Sequence, residues 1–179
     1  MNLWVCLLRG INVGSDRKLP MADLKAVLAK LGAEEIETYI QSGNAVFTGD
    51  IDPERFAGDL AQAIAGTKGF RPEVLLLPGA EMLRADAAYP FAPDAPGEKP
   101  AHVWFCARAP EAPDLSRLEA VALPSERFVL DGRLFFLRAP EGVGRSKLAA
   151  KVERVLGVPT TARNLKTVAT MAEMIRARA

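Results

Sequence analysis

The sequence predicts an α+β protein built of two ferredoxin-like (βαββαβ-type) lobes, with helices covering antiparallel sheets and an extra helix at the C-terminus. Three observations predict it. Apolar runs and helical periodicities follow the order strand, helix, strand, strand, helix, strand over residues 1–78. A similar order returns after residue 101, where "HVWFCARAP" echoes "NLWVCLLRG". Between them, residues 79–100 begin as a short helix and continue as a connector. Pro90, Pro93, Pro96, Gly97 and Pro100 exclude continuous helix or a central strand there. The expected organisation is a lobe over 1–78, a connector over 79–100 and a second lobe over 101–179.

The first element, "LWVCLLR" (3–9), is a short apolar run stopped by Gly10, as a buried strand should be. "PMADLKAVLAKLG" (20–32) reads as a helix. Pro20 suits the first helical turn, Met21, Leu24, Val27, Leu28 and Leu31 fall at helical spacing, and Gly32 ends it. "EIETYIQSGNAVF" (35–47) alternates Ile36, Thr38 and Ile40 with Glu37, Tyr39 and Gln41, the period of a strand. Ser42-Gly43-Asn44 then predicts a tight turn into a second antiparallel strand. In "DPERFAGDLAQAIAGTKG" (52–69), Asp52 is the N-cap, Pro53 the first helical residue, and Phe56, Leu60 and Ile64 the apolar face. "RPEVLLLP" (71–78) is the fourth strand.

In the second lobe, Trp104-Phe105-Cys106 matches Trp4-Val5-Cys6, an internal echo that suggests duplication. "DLSRLEAVAL" (114–123) predicts a short helix. "ERFVLDGRLFFLRAP" (126–140) predicts a hairpin turning at Asp131-Gly132. "GRSKLAAKVERVLG" (144–157) predicts a helix stopped by Gly157. A last helix over 161–179, with Thr161 as N-cap, is expected in place of the lobe's final strand.

The chain has 179 residues, 49% hydrophobic and 25% charged, near the average for globular proteins. No apolar run reaches the roughly 18 residues of a membrane span, and no membrane partner is expected. "MNLWVCLLRG" lacks a basic start and reads as a strand rather than a signal peptide, so a cytoplasmic location is expected. Cys6 and Cys106 lie inside apolar runs and read as buried, reduced side chains. Neither has a CxxC partner, and a zinc site needs about four ligands, so no metal and no cofactor is expected. His102, the only histidine, stands at the start of a strand, which argues against a Ser-His-Asp enzyme.

The net charge of +1 conceals an asymmetry: residues 138–179 hold nine Lys and Arg against three acids, the remainder fourteen against nineteen. A basic C-terminal quarter on a neutral chain suggests a local anion site rather than a dedicated nucleic-acid binder.

Four segments carry candidate chemistry. The opening loop, "RGINVGSDRKLP" (9–20), is about twice the usual connection length. Its glycines and Asn12 permit left-handed backbone, and Arg9, Arg17 and Lys18 add donors and charge suited to an anion. It is neither GxGxxG nor the start of a helix, so the dinucleotide fingerprint fails. "GVGRSK" (142–147) places a glycine loop, Arg145 and Lys147 at an expected helix N-terminus, a setting that attracts phosphate without being a Walker A motif. "TARNLKT" (161–167) puts Arg163, Asn164 and Lys166 in an expected first helical turn. Cations oppose the helix dipole there, a local conflict of the kind that marks function. "TYIQSGN" (38–44) gathers Tyr39, Gln41, Ser42 and Asn44 around one hairpin.

The stretch 7–47, with its LRGINVG loop, Pro-Met helix start and TYIQSGN hairpin, resembles the bacterial domain-of-unknown-function family 1697. The later "GRSKL" and "TARNLKTV" resemble its C-terminal motifs. Ser15 stands where a second glycine is common, and Leu165 where an aromatic residue is common. The resemblance implies a two-lobed α+β fold on ferredoxin-like units and no established activity.

The sequence-level expectation is a protein that binds a phosphorylated or otherwise anionic ligand (a nucleotide, nucleic acid or sugar phosphate) in a groove between lobes. Arg9, Lys18, Arg145, Lys147, Arg163 and Lys166 would supply charge. Asn12, Gln41, Ser42, Asn44 and Asn164 would supply directional hydrogen bonds. The alternatives are a cofactor-independent enzyme on a small anionic substrate, using Tyr39, Ser42 or Lys147, and a protein-interaction module. Oligomeric state is not legible in the sequence.

Overall fold

A computed structural model describes residues 1–178. Strand β1 (Asn2–Arg9) leads through a long loop to α1 (Met21–Lys30), β2 (Glu34–Tyr39), β3 (Asn44–Gly49), α2 (Pro53–Lys68) and β4 (Glu73–Pro78). The strands form an antiparallel sheet in the order β2-β3-β1-β4, the ferredoxin-like arrangement expected. Cys6 of the central strand stands opposite Ala45 on one side and Leu76 on the other.

Trp4, Cys6 and Leu8 share the face covered by Leu24 and Leu28 of α1 and Phe56, Leu60 and Ile64 of α2. Val5, Leu7, Val46 and Leu77 on the opposite face are buried as well. That double burial explains why β1 reads as one apolar run instead of alternating. Helix α2 is terminated as its sequence foretells: the Asp52 carboxylate accepts from Arg55 N–H, Pro53 opens the helix, and Gly69 closes it at φ +76°. Pro20 takes the cap position of α1, one residue before the helix proper.

Helix α3 (Gly79–Ala87) and the connector lead to β5 (His102–Cys106), α4 (Ser116–Glu119), β6 (Arg127–Asp131), β7 (Leu134–Arg138), α5 (Val152–Leu156), β8 (Thr160–Asn164) and α6 (Leu165–Arg176). A second antiparallel sheet has the order β6-β7-β5-β8. Trp104 and Cys106 pack with Phe135, Leu137, Leu118 and Val152, the places that Trp4 and Cys6 hold in the first sheet. The chain divides into two compact units, Met1–Arg84 with the chain from Thr170, and Ala85–Ala169; the divisions fall inside α3 and α6.

Strand β8 corrects the expected helix over 161–179. The second unit has its fourth strand, paired antiparallel to β5 from His102–Asn164 to Cys106–Thr160. Thr160 and Thr161 are β-branched and favour extended backbone. Ala162-Arg163-Asn164 has no decisive local preference, so the open edge of β5 decides.

The helix expected over 144–157 is also broken. Two 3-10 turns, Val143–Arg145 and Ala149–Lys151, precede a short α5. Ser146 is extended between them, and its hydroxyl accepts from Ala149 N–H, a bond that competes with the helix ladder.

The helix expected over 114–123 shrinks to Ser116–Glu119. In the β6–β7 hairpin, Asp131 pairs with Leu134, so Gly132 and Arg133 form the turn, one residue later than expected. Among the described residues, no helix is long and apolar enough to cross a membrane.

Candidate functional site

In the first unit, the opening loop and the hairpin meet at one end of the sheet. Asn12 makes the junction. Its amide nitrogen donates to Gln41 O at 2.6 Å and to Leu19 O at 2.9 Å, while its carbonyl oxygen accepts from Leu19 N–H at 2.8 Å. Leu8 N–H donates to Gly43 O at 2.8 Å. Gly43 has no substitute: its φ is +79°, and a Cβ there would lie 2.6 Å from Leu8 Cβ and 2.8 Å from Ile11 Cδ1. Asn44, fully buried, donates to Tyr39 O and to the Ser42 hydroxyl and closes the hairpin.

The polar groups expected to meet a ligand therefore divide into two sets. Asn12 and Asn44 are spent on the fold, and Gln41 enters the junction through its backbone oxygen. The cations stay at the surface. Arg9 lies beside Glu73 at 3.3 Å with 44% of its side chain exposed. Lys18 is exposed and bonds Gly14 O. Arg17 lies over the Phe70 ring and donates to Arg71 O.

This end of the sheet is strained. Gly10, Asn12, Gly14 and Arg17 all have positive φ, and so does Ile40 in the hairpin turn, at +49°. For a β-branched residue that is an outlier. The strand alternation had assigned Ile40 to β2; it stands in the turn instead, since Tyr39 pairs with Asn44 and the turn runs over residues 40–43. Ile40 is 50% exposed, and Val13 at the tip of the opening loop is 75% exposed. Sequence reasoning missed both as surface features, since an Ile in a strand pattern reads as inward-facing.

In the second unit the expected residues take different roles. Arg163 lies on β8, 9% exposed, and donates to the Thr161 hydroxyl and to Ala162 O, both at 2.8 Å. It does not stand at a helix N-terminus, so the dipole conflict inferred for it is absent. Asn164 caps α6 by accepting from Thr167 N–H at 2.9 Å. Lys166 is exposed in the first turn of that helix. Arg145 and Lys147 are exposed, but the helix expected over 144–157 is broken, so neither stands at the helix N-terminus expected for it.

A further polar cluster was read only as connector. Arg138 holds both carboxylate oxygens of Glu98, at 2.6 and 2.7 Å, and Asp94 accepts from Ala101 N–H. The Glu98 carboxyl is held below its usual range, first by its backbone bond to Ala95 and also by Arg138. Tyr89 is pushed up to about 12 by burial, with Asp94 adding to the rise. Among the described residues, Tyr89 Oη, Asp94 Oδ1 and Arg138 Nε are buried without a protein partner.

His102 begins β5, with Nδ1 3.0 Å from Pro100 O, and burial lowers its pKa. Cys106 is buried and pushed up to about 11, which suits a packing role rather than a nucleophile.

Comparison with known proteins locates the chain among its relatives. No curated protein matches it. Among solved structures, the conserved bacterial protein SP0830 from Streptococcus pneumoniae is similar, at 25% identity and a TM-score of 0.66 over 97% of this chain and 98% of that one. The model of a protein of unknown function (DUF1697) matches residues 1–136, which include the braced loop and its hairpin, and the chain belongs to that family.

Proposed function

We propose that the protein binds an anionic ligand, of the class that includes nucleotides, nucleic acids and sugar phosphates, at the loop end of its first unit. The observation that carries this reading is the Asn12 brace. It ties a strained loop to the hairpin turn and leaves residues 13–18, with Arg17 and Lys18, exposed on a fixed support. Strain of about 1–3 kcal/mol per residue persists only where the surroundings enforce it, and such sites cluster at ligand clamps. Positive-φ backbone also turns successive N–H groups toward a common anion. Arg145, Lys147 and Lys166 are the cations of the second unit that stay available to the same class of ligand.

The experiment is a thermal-shift and NMR titration with inorganic phosphate, nucleotides and mixed oligonucleotides at two salt concentrations. Shifts concentrated in residues 10–18 and 40–43, weakened by Lys18→Glu, support the reading. An oligonucleotide ligand would lose affinity with salt at a log–log slope near −0.9 per phosphate on duplex. Absence of binding by every probe at low salt rejects it. Binding that Arg145→Glu and Lys147→Glu remove, and Lys18→Glu does not, moves the site to the second unit.

A further inference from the structure

The second unit has a concavity built from none of its candidate cations Arg145, Lys147 and Lys166. It is a cavity of about 370 Å³, inside the roughly 300–1,000 Å³ typical of small-molecule sites. The loop after β5 supplies Arg108, Glu111 and Asp114, α4 supplies Arg117, and the end of α5 with the residue after its Gly157 stop supplies Val155 and Val158. The walls rest on fixed elements: Leu118 of α4 and Val155 of α5 share one core cluster, and Ala107 N–H donates to Pro159 O at 2.9 Å. All four charged side chains are exposed, and among the described residues no ion pair or hydrogen bond engages the side chains of Arg108, Glu111 or Arg117. Asp114 accepts from the Ser116 hydroxyl, a neutral donor that leaves the carboxylate charge uncancelled.

We propose that this cavity binds a zwitterion of the α-amino-acid class. The ligand carboxylate meets the guanidiniums of Arg108 and Arg117, the ammonium meets Glu111 and Asp114, and an aliphatic side chain lies toward Val155 and Val158. A planar guanidinium matches the two oxygens of a carboxylate. Two guanidiniums and two carboxylates make the wall neutral as a whole. A ligand of one sign, such as phosphate or a polyamine, therefore meets repulsion from one pair as well as attraction from the other. A dipolar ligand sets each end against its complement, and none of the four groups has to leave an ion pair to receive it. The site is separate from the braced loop and does not depend on the reading given to that loop.

NMR titration of the full chain with L-leucine, leucinamide and N-acetylleucine at equal ionic strength tests the proposal. Leucinamide lacks the carboxylate and N-acetylleucine lacks the ammonium. Leucine should shift the amides of residues 108–117 and 155–158 saturably and bind more tightly than either derivative. Arg117→Gln should weaken leucine by roughly ten-fold and leave leucinamide unchanged. Glu111→Gln should weaken leucine and leave N-acetylleucine unchanged. Both side chains are exposed, so both variants should fold. Arg108→Gln serves the same purpose if circular dichroism shows that Arg117→Gln does not. The proposal is overturned by no saturable shift with leucine, by equal binding of either derivative, by tighter binding of inorganic phosphate at the same amides, or by leucine binding that survives the substitutions unchanged.

Discussion

Ile40 shows how one residue can record a conflict between local and tertiary demands. Its φ of +49° is costly for a β-branched side chain, and half of that side chain faces water. Packing does not compensate for the strain, so the position departs from local consistency in the way functional sites do. Asn adopts left-handed backbone more readily. Ile40→Asn should therefore raise stability by about 1 kcal/mol, or roughly 2–4 °C in a chain of this size, measured as the thermal midpoint. A fall in the midpoint would mean that Ile40 is held by packing after all. Asn12 presents the reverse case, since a residue that looked like a ligand contact spends both amide donors and one acceptor position of its carbonyl oxygen on the fold.

At the scale of elements, β8 separates local propensity from partner choice. Residues 161–164 were expected to open the last helix, yet together with Thr160 they pair along β5. The change from strand to helix occurs at Asn164, whose side chain caps Thr167 N–H while Leu165 N–H donates to Ala101 O. Replacing that cap removes about 1 kcal/mol of helix stability. Asn164→Ala should lower the denaturant midpoint accordingly and speed amide exchange at Thr167 first. Unchanged exchange there would show that the cap contributes nothing. Elsewhere local signals decided correctly: the Asp52-Pro53 start of α2 was legible, because capping needs no distant partner.

At the scale of the whole molecule, the end of the chain belongs with its beginning. The segment from Thr170 joins the first unit, and Arg178 reaches Glu37 of β2 at 3.2 Å. Met171, Ala172 and Ile175 are buried. Losing a single buried Met or Ile side chain costs about 2–5 kcal/mol, against the 5–15 kcal/mol that holds a typical domain folded. A chain ended after Ala169 should therefore lose cooperative unfolding by circular dichroism. Retention of a sharp transition at the wild-type temperature would show that α6 is dispensable.

The first ferredoxin-like unit, and the second except for its last strand, could be read from the order of apolar runs and turns, since the 2.0 and 3.6 periods are local properties of a chain that must hide one face of each element. The loop and hairpin were likewise visible as unusual segments. Their junction was not, because Asn12 and Gln41 are 29 residues apart and nothing local links them. Nor could sequence assign Arg163 to a strand or show the cavity beside Arg117, since both depend on which distant edge or helix arrives as a neighbour. The order of elements followed from local backbone preference and apolar patterning. The roles of the polar side chains were decided by contacts that form only when the chain folds.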